Sequence, residues 1–364
     1  MEEKIYALIR EAESLRERAA YKEALKRFRR ALSLSKRHHH LDGVLDATLA
    51  IADISRMTGD FDLAIRHYEE ALESSEALGN RLTAADCMVG MGLSLRAIGM
   101  WKEAVRFITT ARKTYRKEND TKGVAFSLWA EAGALRVAGD IGKAIERFEE
   151  SRDLFSSLCF DSGMAYALCG LGGTHRIAGK SEVSLSYYRQ ANSMFRAQKD
   201  TFGAAYSHCG IGNAYRMLHR YADAMRHFSK ATRLYEKIGD RVSYSYTLWS
   251  IATLYKMKGE SAKARSSIQK ALRNFRMTKD PRGIVYCDLA LGELLFMEGK
   301  TGAARKKMLA AAASAARHGF KLEQCHADAL LAVVDGNGMR SPKTPCYRKR
   351  EVELPAPSIP FNIP

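Results

Sequence analysis

The stretch Tyr166–Gly179 reads YALCGLGGTHRIAG and has close counterparts on both sides of it in the chain. Moved forward by 40 residues, the window becomes YSHCGIGNAYRMLH at Tyr206–His219, and moved back by 40 it becomes FSLWAEAGALRVAG at Phe126–Gly139. The same spacing continues through residues 1–320 without a shift. A fixed period of this length is typical of an elongated array in which each unit packs only on its neighbours.

Each 40-residue unit is predicted to contain two helices, A and B, joined by a tight turn. In residues 41–80, helix A is expected over Asp42–Thr58 and helix B over Phe61–Leu78. Gly59 lies between them, where a helix commonly ends in a left-handed residue. Candidate N-caps precede the later A helices, at Asn80, Asp120, Asp200, Asp240 and Asp280.

The B helices carry small and large residues at helical spacing. In residues 81–120, Ala104, Ile108 and Ala111 lie on one face, and equivalent residues recur in every unit. Small residues let two helices approach closely, and the large residue between them fills the remaining space. We therefore predict an all-α protein, an α-solenoid of about eight helix–turn–helix repeats.

The chain of 364 residues carries a formal net charge of +17, from 58 Lys and Arg against 41 Asp and Glu. This excess attracts acidic partners, such as acidic protein segments, nucleic acid or an anionic surface. No apolar run approaches the ~18 residues that a membrane span needs. The start MEEKIYALIREAESLRERAA is a charged amphipathic helix and is unlike a signal peptide, so we expect no membrane insertion.

The seven Cys residues are odd in number and include no CxxC pair. That pattern predicts free thiols in a reducing cytoplasm. His and Cys never cluster at metal-ligand spacing, so we expect neither a metal nor a cofactor. The run His38–His40 lies between two repeats and is interpreted as a solvated loop.

The repeated pattern resembles the tetratricopeptide repeat, in which a Leu-Gly-x-x-Tyr segment precedes Gly, Ala, a large aromatic residue and Ala. Matching residues in two neighbouring units are Leu171-Gly172, Gly179, Phe148 and Ala191, and Ile211-Gly212, Tyr215, Ala224, Phe228 and Ala231. The unit of 40 residues is longer than the usual ~34. It looks like the longer-repeat subclass of LGN/Pins-type scaffolds and of some bacterial regulators.

The resemblance implies a right-handed superhelix whose A helices line the concave side. It also implies a protein that binds peptides and proteins and is not an enzyme, because the family has no common catalytic activity. We expect residues 1–320 to form eight tandem repeats and residues 321–334 a capping helix. Residues 335–364 are predicted to be a Pro-rich, mostly disordered tail.

Rows of A-helix residues are expected to line the concave groove, since positions three, four and seven apart share one helix face. At ~1.5 Å per residue, an aromatic row and a cationic row would lie ~15 Å apart. The candidate ligand-binding residues are Arg56, Arg96, Arg136, Arg176, Arg216 and Lys256 in the cationic row, Phe126, Tyr166, Tyr206, Tyr246 and Tyr286 in the aromatic row, and Trp129, Trp249 and Asn213 between them.

Both rows have a second interpretation. The cationic row, which begins at Arg16, could bind carboxylate or phosphate through the planar guanidinium fork. Alternatively, a cation in the last turn of helix A interacts favourably with the helix dipole, by ~0.3–1 kcal/mol. The aromatic row could contact a ligand or could pack between adjacent A helices.

We predict a non-enzymatic adaptor or scaffold that binds an acidic, extended peptide or protein segment in this groove. The alternative is an array that binds single-stranded RNA, since stacked aromatic rings and Arg also suit nucleic acid. The GxG sequences at 90–92, 170–172 and 210–212 follow no strand. They are interpreted as sites of close helix packing and not as nucleotide loops.

The tail segment 347–364 is a candidate occupant of the groove, in its own chain or in a neighbouring chain, and thus a route to self-association. It carries Glu351 and Glu353, and its prolines favour an extended form at low entropic cost. The basic run 348–350 opposes this interpretation.

Overall fold

The structure is a computed structural model that describes residues 1–18, 20–336, 345–354 and 358–364. Within these ranges it contains helices and no strand. The helices are α1 Glu2–Glu17, α2 Tyr21–Arg37, α3 Leu41–Thr58, α4 Phe61–Ala77, α5 Arg81–Ala97, α6 Trp101–Lys117, α7 Thr121–Ala138, α8 Ile141–Ser157, α9 Asp161–Ile177, α10 Ser181–Ala197, α11 Thr201–Met217, α12 Tyr221–Ile238, α13 Arg241–Met257, α14 Ser261–Met277, α15 Pro281–Met297, α16 Thr301–His318, α17 Lys321–Val334 and α18 Pro345–Arg348.

The helices stack in sequence order, each on the one before it. Odd-numbered helices from α1 to α17 also contact the next odd-numbered helix, whereas no comparable contact joins the even-numbered helices of the described chain. The odd-numbered helices therefore form the crowded inner layer of a curved stack, and the even-numbered helices spread apart outside it. The predicted all-α superhelix of helix pairs is confirmed.

The predicted helix boundaries have the expected local causes. The side chains of Asn80, Asp120 and the equivalent Asp residues accept a hydrogen bond from the backbone N–H three residues on, as N-caps do. At the turn between helices A and B, Gly59 and Gly139 have φ angles of 86° and 79°. These left-handed conformations are free of strain only for glycine.

The glycines of the GxG sequences are packing sites. A Cβ atom added at Gly90 would lie 2.3 Å from the ring of Tyr68, and one added at Gly170 would lie 2.3 Å from the ring of Phe148. Aromatic rings of the B helices thus pack directly on the backbone of the following A helix. The interpretation as sites of close helix packing is confirmed.

Successive turns of the superhelix touch each other. The indole N–H of Trp101 donates to the backbone oxygen of His318 at 3.1 Å, across 217 residues of sequence. Lys279 forms an ion pair with Asp62, also 217 residues away. Such contacts join residues more than five repeats apart, so the concave surface is enclosed between neighbouring turns.

The described part of the predicted tail packs against the repeats. The strap, residues 345–354, packs on the A–B turns of repeats four and five, where Tyr347 and Val352 are buried against Ile141 and Ile177. The amide of Glu353 donates to the backbone oxygen of Ala178 at 3.0 Å. The prolines and glycines suggested disorder, but the apolar residues between them find apolar sites on distant repeats. Residues 337–344 and 355–357 of the predicted tail lie outside the described residues.

The prediction that the cysteines are free thiols is wrong for two of them. Cys325 in α17 and Cys346 in α18 form a disulfide, with Cα atoms 5.7 Å apart. Their separation of 21 residues gave no sign of pairing, because the pairing depends on how the strap folds back onto α17. The free cysteines are Cys87, Cys159, Cys169, Cys209 and Cys287.

We expect Gly179→Ala to release the strap. An added Cβ at Gly179 would lie 1.8 Å from the backbone oxygen of Glu353, whereas Gly259 has a similar left-handed φ and no neighbour within 4 Å. Both Ala variants bear a strain of ~1–2 kcal/mol from the left-handed backbone. Gly179→Ala should lose a further ~1–3 kcal/mol through the clash.

Thermal melting of the two variants measures this difference, and hydrogen exchange at Glu353 reports the strap itself. Equal melting temperatures with an unchanged Glu353 amide would show that the strap does not dock at Gly179.

Thiol titration is expected to give five reactive thiols in the denatured, unreduced protein and seven after reduction. The disulfide closes a loop of about 20 residues, which constrains the unfolded chain by ~3 kcal/mol. Reduction should therefore loosen the strap before the repeats melt. Seven thiols without a reductant would contradict the pairing.

Candidate functional site: a groove enclosed by the inner helices

Two adjoining cavities lie along the inner helices. The aromatic cavity, of about 940 Å³, has walls that include Tyr21, Arg56, Phe126, Trp129, Phe155, Phe160, Tyr166 and Phe202. The arginine cavity, of about 280 Å³, has walls that include Arg96, Arg136, Arg176, Tyr206, Asn213, Tyr246, Trp249, Arg282, Tyr286 and Pro364. Helix α7 contributes Phe126 to the first cavity and Arg136 to the second, so both cavities border the same inner helix.

Most of the predicted ligand-binding residues line one of these cavities. Arg216 and Lys256 line neither, because both are fully buried beneath the end segment, residues 358–364. The cationic row therefore does not face one open groove along its whole length. It divides into a paired N-terminal part, an open middle and a covered C-terminal part.

At the N-terminal end of the row, carboxylates neutralise the cations. Arg16 forms ion pairs with Glu13 at 2.7 Å and with Asp53 at 3.6 Å. Arg56 lies 3.5 Å from the same Asp53, and its Nε donates to the Tyr68 hydroxyl at 3.0 Å. These two arginines have partners without any ligand.

At the C-terminal end, Lys256 forms an ion pair with Glu293, and both side chains are fully buried. Burial lowers the pKa of Lys256 and raises that of Glu293, because each charge has lost its contact with water. Lys256 also donates to the backbone oxygen of Phe361 at 3.0 Å. At this end of the row, Glu293 neutralises the cation and the end segment covers it.

In the middle of the row, Arg96, Arg136 and Arg176 have no carboxylate within ion-pair distance among the described residues. The Nε and Nη1 atoms of Arg176 are buried and lack a hydrogen-bond partner in the same part of the chain. Burial, followed by the charge of Arg136, lowers the pKa of Arg96 to about 10. Each of these observations indicates positive charge that the fold does not neutralise.

One position in the following repeat accounts for the state of four cations in the row. Arg16 meets Asp53 and Lys256 meets Glu293, in each case 37 residues further along the chain. At the same distance from Arg96 and Arg136 the chain has Gly133 and Gly173. A Cβ added to these glycines would lie 2.1 Å and 2.7 Å from Nη1 of the respective arginine.

The residues that lie 37 positions beyond the cationic row form a column that the sequence analysis did not consider. It reads Asp53, Leu93, Gly133, Gly173, Asn213, Thr253 and Glu293. Acids occupy its two ends, while the residues opposite Arg96, Arg136 and Arg176 are two glycines and an asparagine. A comparison with the residue 37 positions on would have separated Arg16 from Arg96, Arg136 and Arg176. It would not have found the partner of Arg56, because Asp53 lies in the same helix as Arg56.

Most of the aromatic row serves inter-repeat packing. The indole N–H groups of Trp129 and Trp249 donate to the backbone oxygens of Tyr166 and Tyr286, both at 3.2 Å. The Tyr166 hydroxyl donates to Asp200 at 2.9 Å, and its ring packs edge-on against a buried phenylalanine with ring centres 4.7 Å apart.

Tyr246 and Tyr286 follow the same pattern. The Tyr246 ring packs edge-on against Phe275 with centres 4.8 Å apart, and the Tyr286 hydroxyl donates to Glu323 at 2.7 Å. Phe126 differs, because it is 37% exposed and stacks on Trp129 with ring centres 5.6 Å apart. It offers an accessible aromatic face at the mouth of the aromatic cavity.

The arginines of the open middle lie in the last turns of α5, α7 and α9. The helix-dipole interaction therefore applies to all of them. It also applies to the paired arginines, so it does not account for the absence of acids at the middle positions.

Removing the carboxylate of Glu293 is expected to be more harmful than removing the whole buried ion pair. Glu293→Ala leaves Lys256 without a counter-ion, which should lower the free energy of unfolding by ~3–5 kcal/mol. The double variant Lys256→Met, Glu293→Leu removes both charges and should lose less. Urea denaturation measures both values, and a smaller loss in the single variant would contradict the pairing.

Comparisons with known proteins agree with this architecture. A family model described as tetratricopeptide repeat matches residues 43–117 and 203–277. No curated protein sequence matches the chain. None of the described helices is long and apolar enough to cross a membrane. The resemblance to LGN/Pins-type scaffolds stays a prediction.

Similar solved structures include a Rap conjugation gene regulator of the plasmid pLS20 in complex with the Phr* peptide, at 14% identity and a TM-score of 0.66, covering 86% of this chain and 95% of that one. A Rap protein complexed with competence and sporulation factor is 13% identical with a TM-score of 0.60, covering 92% of this chain and 98% of that one. At these identities the likeness is one of fold. Two stretches of the chain thus match the tetratricopeptide repeat, and the helix pairs stack in a solenoid similar in fold to the Rap structures.

Proposed function

We propose that the chain is a non-enzymatic adaptor that binds an extended, acidic peptide or protein segment inside its superhelix. The observation that carries the proposal is the open middle of the cationic row. There Arg96, Arg136 and Arg176 line one cavity and lack a carboxylate partner among the described residues. The Rap structures of similar fold are described as complexes with a peptide and with competence and sporulation factor, which makes a peptide the natural class of ligand to test.

Electrostatics favours an acidic ligand at this position. Like charges in a partly buried cavity repel each other, and a guanidinium that lacks hydrogen-bond partners is destabilising. A carboxylate would neutralise the charge and could accept two parallel hydrogen bonds from one planar guanidinium. Several arginines acting on one chain would add affinity, since a charged hydrogen bond contributes ~1.5–3 kcal/mol.

The adjoining aromatic cavity suggests the rest of the ligand. Phe126 and Arg136 are ten residues apart on α7, which corresponds to ~15 Å along the helix axis. An extended peptide covers that distance with about five residues at ~3.3 Å each. We therefore expect the ligand to carry a large apolar side chain a few residues away from its acidic group.

Single-stranded RNA is the less favoured ligand. Stacking of bases requires accessible aromatic faces, and most of the aromatic row is engaged in inter-repeat hydrogen bonds and ring contacts. Phe126 is the most exposed member of the row. Binding of a labelled oligouridine that weakens steeply with salt and competes with peptide would favour RNA instead.

Selection of a random heptapeptide library on the immobilised full chain tests the proposal. The selected peptides should be rich in Asp and Glu and should contain a large apolar residue. Their affinity should fall at least tenfold, or about 1.4 kcal/mol, in the double variant Arg136→Lys, Arg176→Lys. Lys keeps the charge and the dipole interaction but loses the planar fork.

Arg112→Lys is the control, because Arg112 is already paired with Glu131 and lines neither cavity. It should leave peptide affinity within about twofold of the original protein, a free-energy change of ~0.4 kcal/mol. Circular dichroism should show that every variant stays helical. Full peptide affinity in the Arg136→Lys, Arg176→Lys variant, or selected peptides without acidic residues, would refute the proposal.

A further inference from the structure

The end segment, residues 358–364, lies inside the superhelix in the position expected of a bound peptide. The backbone amide of Phe361 donates to Glu293 at 2.6 Å, and the backbone oxygen of Phe361 accepts from Lys256 at 3.0 Å. The backbone oxygen of Ile363 accepts from Arg216 at 2.8 Å. Inner-helix side chains thus satisfy the main chain of an extended segment at two alternate residues.

The side chains of the end segment are also buried or hydrogen-bonded. Phe361 and Ile363 are 2% and 1% exposed and belong to the hydrophobic core of repeats seven and eight. Between them, the side-chain oxygen of Asn362 accepts from Nη1 of Arg216, and its amide donates to the backbone oxygen of Arg216 at 3.2 Å. The site therefore recognises an apolar–polar–apolar sequence and not main-chain atoms alone.

The segment leaves the charge of Arg216 unneutralised. This arginine is fully buried, and its partners in the described structure are the neutral oxygens of Asn213, Asn362 and Ile363. Burial, and then the charge of Arg176, lower the pKa of Arg216 to about 9. A carboxylate at the position of Asn362 would supply the missing negative charge with almost the same shape.

We infer that the inner surface of repeats six to eight is a peptide site for an extended apolar–acidic–apolar segment, and that residues 361–363 occupy it as a neutral internal mimic. The inference rests on the proposed function and extends it from the arginine cavity to Arg216. An incoming ligand with Asp or Glu opposite Arg216 would displace Phe361–Ile363 and continue past Pro364 into the arginine cavity.

The preference for an acid follows from comparing the two side chains at this position. Replacing the Asn amide by a carboxylate oxygen loses one donated hydrogen bond to the Arg216 backbone oxygen. It gains a charged pair with a buried guanidinium, and charged hydrogen bonds are stronger than neutral ones in such surroundings. Nearby Glu293 does not oppose the acid strongly, because Lys256 neutralises it.

The test uses the full-length chain and two fluorescent peptides, one with the sequence of residues 358–364 and one with Asn362→Asp. The tethered segment competes at an effective concentration that can reach the millimolar range. We expect the Asp peptide to bind at least ten times more tightly than the Asn peptide. A full-length Phe361→Ala chain should bind both peptides at least ten times more tightly than the original chain, because its own segment has lost its anchor.

Hydrogen exchange on the unaltered chain provides a second measurement that needs no variant. The amide of Phe361 should be protected by Glu293 and should become exposed when the Asp peptide is added. Equal binding of the two peptides, or a Phe361 amide that exchanges as fast as in a free peptide, would overturn the inference. A dimer that dissociates in the Phe361→Ala chain would also overturn it, by placing the segment in a neighbouring molecule.

Two outcomes distinguish a failure of this inference from a failure of the proposed function. If the Asp peptide displaces the segment but library-selected peptides ignore Arg136→Lys, Arg176→Lys, the inference stands and the arginine cavity is not the recognition site. If those peptides depend on the two arginines but the Asp peptide never exposes the Phe361 amide, the proposed function stands and the inference fails.

Discussion

The contact between the last turn of one inner helix and the next inner helix determines where the groove carries positive charge that the fold does not neutralise. Arg16, Arg96, Arg136 and Lys256 each reach the residue 37 positions further along the chain. Where that residue is Asp53 or Glu293, the cation is neutralised within the fold. Where it is Gly133 or Gly173, the guanidinium lies against bare backbone and keeps its charge. The same architectural contact therefore produces a structural ion pair in some repeats and a candidate ligand site in others.

The closure of the superhelix strengthens the effect of paired and unpaired arginines on ligand binding. Contacts across 217 residues hold successive turns together, so the inner arginines face a confined space. In such surroundings an unpaired charge is more destabilising, and a matching carboxylate more stabilising, than on an open surface. The strap and the end segment belong to the same closure, because they cover the turns of repeats four and five and fill the interior of repeats six to eight.

The sequence was sufficient to predict the helices, their caps and the close packing of glycines on aromatic rings, because these depend on contacts within one repeat or between neighbouring repeats. It was insufficient for the strap. The contact of Arg350 with Gly139 spans 211 residues, and no local pattern reports a contact at that distance. For the same reason, only part of the candidate site could be predicted from the sequence. The rows themselves could be predicted. The pairing of Arg16 and the lack of an acid at Arg96 and Arg136 depended on residues of the following repeat. The burial of Arg216 depended on Asn362, 146 residues away.

A crystal structure of the full-length chain with a library-selected acidic heptapeptide tests the central claim most directly. The account predicts peptide carboxylates within hydrogen-bond distance of Arg96, Arg136 or Arg176, an apolar side chain in the aromatic cavity, and no carboxylate at Arg16 or Arg56. A peptide bound on the outer helices, or one whose acids contact only exposed Lys and Arg residues, would contradict it.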